Sequence, residues 1–267
     1  MPELPDVEIY RRRLEEHAMK RSFTEARIFD ERLLDQVTAR QLKQALVSHR
    51  IVATKRHGKC LLVELDDGSL LTLHFGMTGD IVPLREGQDL PRYTVLQLLF
   101  NDRTGIAITS RRKLGHIGLT KNMEVFTKSQ GLGVDALDPA LDRTSFRAAL
   151  GSARSAIKSA LMDQSKLCGI GNIYSDEILF QAGLNPRKQV GNLDASEIDG
   201  LFKTVRRVLQ EAIRRGVLSE GFEGAVPGGW LLAHRERGGR CPRCGEVLQT
   251  SNIAGRTAYF CASCQAQ

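Results

Sequence analysis

The chain has 267 residues, of which 42% are hydrophobic and 26% charged, and its formal net charge is +7 at pH 7. Those proportions exclude a disordered polyelectrolyte and a membrane-embedded chain, and the length favours two modest cores over one large one. The positive excess favours a polyanionic partner, of which nucleic acid is the commonest.

The chain opens MPELPDVE, and this start has two readings. Pro2 and Pro5 can set the entry to a helix, with Glu3, Asp6 and Glu8 near its positive end. Alternatively, removal of Met1 turns Pro2 into a free secondary amine with Glu3 beside it. No apolar run follows, since the first twenty residues carry RRRLEEH; the expectation is a cytoplasmic protein without a membrane partner. Val7, Tyr10, Leu14 and Ala18 recur at helical spacing and predict a helix over 7–19.

Character changes at Ser22. CLLVEL, SLLTLHF, YTVLQLLF and GIAITS are short, rich in β-formers and divided by DDG, REGQ and NDRTG. Residues 22–125 read as an antiparallel sandwich or barrel. His74, within LTLHF, reads here as a core histidine, and Cys60 and Cys168 stand alone in apolar surroundings as buried thiols of a reducing compartment. The segment GLGVDALDPALDRT, 131–144, has two glycines, a proline and no clear period, and reads as a linker. Helical spacing then runs through SFRAALGSARSAIKSALMDQ and LDASEIDGLFKTVRRVLQEAIRRG. In the second, Ser196 is the candidate cap of a helix to about Arg215, with Gly216 past its end.

Between these lies CGIGNIYSDEILFQAGLNP, a turn followed by a helix expected from about Ile173 to Gln181. Gly169 and Gly171 permit close backbone approach to a ligand, and outward-facing N–H groups at the helix start could bind phosphate. Asn172 either caps the helix or gives its side-chain amide to the same phosphate. A plain helix–turn–helix packing joint is the alternative. No strand precedes the glycines, so a dinucleotide fingerprint is excluded.

After the glycine-rich EGFEGAVPGG come CPRC, Cys241 to Cys244, and CASC, Cys261 to Cys264, with sixteen residues between them. Two C-x₂-C knuckles at this spacing place four thiolates tetrahedrally around one Zn²⁺, whereas disulfides between such near neighbours are strained. Four cysteines leave no open position, so the metal is structural. EVLQTSNIAGRTAYF, between the pairs, predicts a β-hairpin turning near 252–255. Arg256, read as lying in that turn, is either a solvated arginine or a phosphate clamp.

MPELPDVE, GIGNIYSDE and the terminal cysteine hairpin, in this order, resemble the formamidopyrimidine-DNA glycosylase and endonuclease VIII family of base-excision repair enzymes. The resemblance spans nearly the whole chain. It implies an α+β, two-domain fold: an N-terminal β-sandwich with a leading helix over 1–130, a linker over 131–144, a helix–two-turn–helix domain over 145–225 and a zinc hairpin over 226–267. It implies a monomer acting on damaged double-stranded DNA.

The resemblance also implies roles. The Pro2 amine would attack C1′ of the damaged nucleotide, and the resulting iminium would acidify the C2′ proton, so that base loss leads into β-elimination. Glu3 matches the general acid–base residue, and the Asp6 carboxylate helps position the sugar end. Lys59, in KRHGKCLLVEL, matches a phosphate contact credited as proton donor in β-elimination; a surface strand lysine is the alternative. Arg256 matches the phosphate clamp and donor for δ-elimination. Gly169, Gly171 and Asn172 match the phosphate-binding turn. Lys158 matches a basic position near DNA, against the alternative of a solvated helix residue, and His74 matches a DNA contact. Flipping a base out leaves a hole to fill, for which Met77 matches the first intercalating residue and Arg112 the arginine that meets the orphaned base.

Three departures bear on specificity. Asp6 stands where most relatives have glutamate. The expected D-P-R-R-F-G reads Ser110 to Gly115, with Leu114 replacing the phenylalanine wedge. The stretch from Gly216 to Cys241 is shorter than in formamidopyrimidine enzymes, where it caps a flipped oxidised purine, so 8-oxoguanine is not singled out as the lesion. A non-catalytic binder of DNA damage or abasic sites on the same fold is the alternative, and a zinc-ribbon RNA-binding protein is a third reading.

Overall fold

The computed structural model describes residues 1–219 and 226–265. The chain divides into two compact units, Met1–Pro2 with Asp6–Gln130, and Glu3–Pro5 with Gly131–Gln267. Part of EGFEGAVPGG, and with it the comparison of loop length between Gly216 and Cys241, lies outside the described residues.

Helix α1, Leu4–Ala18, opens the chain, and from Asp6 on it belongs to the first unit. It starts earlier than the apolar period suggested, because Pro5 lies in the first turn, where a missing N–H costs nothing. Val7, Tyr10, Leu14 and Ala18 form its buried face, and the Tyr10 ring meets Phe75 edge-on at 4.9 Å. There follow β1 (Phe23–Ile28), β2 (Leu34–Asp35), helix α2 (Ala39–Leu46), β3 (Ile51–His57), β4 (Cys60–Leu65), β5 (Leu70–His74), β6 (Gly79–Leu84), β7 (Thr94–Phe100), β8 (Gly105–Ser110), β9 (His116–Thr120) and helix α3 (Met123–Ser129).

These strands form two sheets, in the orders β1-β7-β8-β6 and β2-β9-β5-β4-β3. Their inner faces meet: Leu73 and Ile117 of one sheet and Ile108 of the other line one small cavity. This is the expected sandwich with two corrections. The β2–β9 pair is parallel, Leu34 opposite Ile117, and 22–125 is not all strand. Thr38 and Gln41 form a capping box that starts α2, and Leu42 and Leu46 bury its apolar face.

In the second unit the stretch read as a linker is built in. Val134–Asp135 (β10) pairs in parallel with Leu167–Cys168 (β11), Ala136 and Leu141 are buried, and Asp142 caps the next helix. The periodic run after it is not one helix but two, α4 (Arg143–Ala149) and α5 (Ile157–Leu161). Between them Gly151 takes φ +75° and Ala156 bridges to Gln189, so tertiary pairing overrides the helical period. Helix α6, Asn172–Ala182, is buried from Tyr174 through Phe180. Helix α7, Ala195–Arg215, ends at Gly216 with φ 68°, but its cap is Asp194, in a capping box with Glu197, and not Ser196. Strands β12 (Gln249–Ile253) and β13 (Arg256–Phe260) form the terminal hairpin. Among the described residues no helix is long and apolar enough to cross a membrane.

Candidate nucleic-acid site and zinc centre

In the second unit the site is built on the start of α6. The Glu3 carboxylate accepts hydrogen bonds from the backbone N–H groups of Gly171 (2.6 Å), Ile173 (2.8 Å) and Tyr174 (3.2 Å). Leu4 N–H donates to the Gly169 carbonyl at 2.9 Å. Gly169 holds φ +112°, and a Cβ there would lie 2.5 Å from Leu4 Cδ1. The glycine thus admits the chain's own amino-terminal segment. Three of the N–H groups at the helix start, those of Gly171, Ile173 and Tyr174, are therefore taken by a carboxylate, the kind of anion a helix start favours.

Asn172 is not the cap, which falls at Gly171 without a side-chain bond. It is the first helical residue, and its buried Oδ1 has no hydrogen-bond partner among the described residues. Its carbonyl accepts from Lys158 Nζ at 3.0 Å and from Arg235 Nη2 at 3.5 Å. Lys158 is not a solvated helix residue. It is fully buried, with its ammonium 2.6 Å from Asp176 Oδ1 and 2.9 Å from Ser175 Oγ. Burial lowers its pKa, and the opposing pull of Asp176 does not fully offset this.

Arg256 is not in the hairpin turn. Ala254 and Gly255, both with positive φ, make that turn, and Arg256 is the exposed first residue of β13, opposite Ile253. The hairpin's ends carry the four cysteines. Cys241 Sγ lies 3.8 Å from Cys264 Sγ and Cys244 Sγ 3.5 Å from Cys261 Sγ, and all four sulfurs fall within 4.8 Å of one another. A tetrahedral zinc with bonds of about 2.3 Å requires sulfurs roughly 3.8 Å apart, so the set fits the ion.

The first unit carries the other candidates. Pro2 and Asp6 are both buried. Gly58 and Lys59 form the two-residue turn between β3 and β4, where His57 faces Cys60, and Lys59 is 7% exposed, so it is no open surface lysine. His74 ends β5 opposite His116 of β9, with the rings 5.9 Å apart. Burial, then His116, then the Lys59 charge push the His74 pKa down to about 4. The ring is thus neutral at pH 7, and its Nδ1 accepts from Gly76 N–H at 3.3 Å, which leaves the proton on Nε2.

Met77, Arg112 and Leu114 sit on two loops packed against each other. Gly76 has φ +59°, and a Cβ there would collide with the Leu114 backbone. Arg112 N–H donates to Thr78 Oγ1 at 2.9 Å, and the Lys113 ammonium reaches Asp30 at 2.7 Å. Held this way, the Arg112 side chain is exposed and Leu114 is 48% exposed.

The sequence reading missed the charged residues beneath the site: Asp176 and Glu177 on α6, and Arg235. Burial pushes Glu177 up to about 7, against its bonds to Gln181 and to the Leu232 N–H. A signal was present. Two adjacent carboxylates inside the apolar run IYSDEILF must be paired or hydrogen-bonded once that helix is buried.

Family models match the chain in three consecutive stretches: the formamidopyrimidine-DNA glycosylase N-terminal domain over 1–117, the formamidopyrimidine-DNA glycosylase H2TH domain over 132–222, and a zinc finger found in FPG and IleRS over 238–267. The chain belongs to the formamidopyrimidine-DNA glycosylase family. The formamidopyrimidine-DNA glycosylase of Thermomicrobium roseum is 35% identical over 293 residues, covering 99% of both chains. That of Halorhodospira halophila is 33% identical over 99% of this chain and all of its own length. Among solved structures, Lactococcus lactis Fpg bound to DNA containing an abasic site superposes with a TM-score of 0.89 at 28% identity, covering 99% of this chain and 100% of that one. A complex of the same enzyme with DNA containing Fapy-dG gives 0.87 at 29% identity over the same shares. Membership makes the chain a DNA glycosylase of base-excision repair, and its zinc finger carries one structural zinc through Cys241, Cys244, Cys261 and Cys264.

Proposed function

We propose that this glycosylase removes oxidised bases from duplex DNA and cleaves the resulting abasic strand by β- and then δ-elimination, through a Schiff base on Pro2. The Pro2 amine, freed by loss of Met1, bonds to C1′ as the base departs with the bonding pair. The amine loses its proton, and the C1′–O4′ bond then opens, O4′ taking a proton, to leave an iminium. The iminium then draws electrons from the C2′–H bond as that proton leaves, and the 3′ phosphate departs. Loss of the C4′ proton expels the 5′ phosphate, and hydrolysis returns the amine.

The observation that carries this reading is the Glu3 carboxylate fixed on three backbone amides at the start of α6, those of its cap Gly171 and of Ile173 and Tyr174. It holds the backbone immediately after Pro2, so a nucleophile on an otherwise loose chain end loses little entropy on attack. Further support comes from the neutral His74, whose Nε2–H suits a phosphate oxygen, from Lys59 in its turn, and from Arg256 exposed on a zinc-tied strand. Met77, Arg112 and Leu114 suit the vacated stack. The aliphatic Leu114 fills space there without stacking, so we infer weaker discrimination of the opposite base than a phenylalanine would give. The relatives solved with abasic-site and Fapy-dG DNA bear on the substrate class. We infer a monomer working on DNA in the cytoplasm.

Borohydride trapping on a duplex with one abasic site tests the reaction, beside Pro2→Gly and a control that retains Met1. A covalent adduct that disappears when Met1 is retained is expected. Clear binding without an adduct would replace the lyase with a non-catalytic binder of abasic sites.

A further inference from the structure

We propose that Asp176 is a positioning residue that holds the zinc hairpin, and Arg256 with it, in register with the first turn of α6. The inference rests on the role given to Arg256 above and adds a residue that acts through it.

Asp176 is 1% exposed, and its two oxygens accept three hydrogen bonds. Oδ1 accepts from Lys158 Nζ at 2.6 Å. Oδ2 accepts from Arg235 Nε at 2.9 Å and from the backbone N–H of Tyr259 at 3.1 Å, and it forms an ion pair with Arg235 Nη2 at 2.9 Å. Tyr259 lies on β13 three residues beyond Arg256 and faces Thr250 of β12. The Arg235 guanidinium also covers the Tyr259 ring, 5.0 Å from its centroid. Both cations return to the Asn172 carbonyl. One carboxylate thus ties the first residue of α6 to the strand that starts with Arg256.

The charges make this more than packing. Lys158 and Arg235 are set against Asp176 and, one helical turn back, the Glu3 carboxylate that also stabilises the Lys158 charge. Two cations and two anions therefore oppose one another here, and removing one anion strands a buried ammonium. The tether also has a geometric consequence. A strand that slips by one residue turns every side chain to its other face. Zinc fixes the cysteine knuckles, and the bond to Tyr259 N–H fixes the strand that leads to Arg256. A group displaced by about 1 Å can lose roughly a hundredfold in rate.

The test uses the zinc-loaded full chain as wild type, Asp176→Asn, Arg256→Ala and the double variant. Each is given a duplex with one abasic site at saturating enzyme. Trapped adduct, β-product and δ-product are read separately, alongside zinc content and hydrogen exchange at the Tyr259 amide. Asp176→Asn is expected to keep its zinc and its adduct, to lose protection at Tyr259, and to lower δ-product roughly 10- to 100-fold. The double variant should fall no further than Arg256→Ala alone, because Asp176 acts through the same guanidinium. Losses that multiply in the double variant, or an unchanged δ-product in Asp176→Asn, would overturn the proposal. If Asp176→Asn does not fold, Arg235→Gln replaces it from the less buried side, with the same non-additivity expected. Absence of an adduct in wild type, or full δ-product from Arg256→Ala, would instead sink the reaction proposed above. The Tyr259 exchange then decides the tether by itself.

Discussion

Glu3→Gln is the most direct perturbation of the amino-terminal anchor. Glutamine has the same shape but only one acceptor oxygen. If that oxygen replaces Oε2 and keeps the Gly171 and Tyr174 bonds, the new NH₂ faces the Ile173 N–H, a donor against a donor. A buried donor left unmet costs about 1–3 kcal/mol, and losing an anion at a helix start costs up to about 2 kcal/mol more. The expected destabilisation is about 2–4 kcal/mol. For a chain of this length that lowers Tm by roughly 5–15 °C. Thermal unfolding followed by circular dichroism measures it, with zinc kept saturating in both proteins. A Tm within about 1 °C of wild type would refute the anchoring argument. Base excision should fall about 10²- to 10⁴-fold if the same carboxylate also moves a proton. A variant that loses stability but keeps its rate would assign Glu3 to anchoring alone.

Two further outcomes follow from the geometry. His74 has a folded pKa of about 4 against an unfolded value of 6.5, so between these values the unfolded chain binds the extra proton and stability rises with pH. The stabilisation is complete above about 6.5 and is lost as pH falls to 4, about 3 kcal/mol in all. In His74→Asn, urea midpoints at pH 4.5 and 7.5 should lie closer together than in wild type; an equal gap would show that His74 is not the group that titrates. Removing zinc with a chelator should loosen the hairpin, since the metal is what joins the two cysteine knuckles at its ends. Amides of β12 and β13 should then exchange freely while those of β4 and β5 stay protected, and continued protection of the hairpin would count against a structural role for the metal.

What the sequence discloses depends on how far apart the interacting residues lie. The cysteine knuckles, the strand runs CLLVEL and GIAITS and the apolar face of α1 are local patterns, and each sits where its spacing indicates. Helix α2 was also local, through Thr38 and Gln41, but strand-like neighbours on both sides masked it. Asp194 and Ser196 are both good caps, and the partner that decides between them is Glu197, three residues after Asp194. The break between α4 and α5 is set by the pairing of Ala156 with Gln189, which no local period encodes. The candidate site is the extreme case. Glu3 finds its donors at residues 171–174, and Lys158 finds Asp176 on another helix. Residue identity pointed to both side chains, while their partners, and so the burial of Lys158, depended on the fold.

The attachment of Glu3–Pro5 to the second unit also imposes an order of events during synthesis. Those residues have no docking surface until Gly169–Tyr174 have left the ribosome. At about 5–20 residues per second, the interval is roughly ten to thirty seconds. Throughout it the amino end projects from a nascent chain that cannot yet bury it, open to the aminopeptidase that would cut Met1 from Pro2. On the mechanism proposed above, this interval is the one in which Met1 would be cut from Pro2.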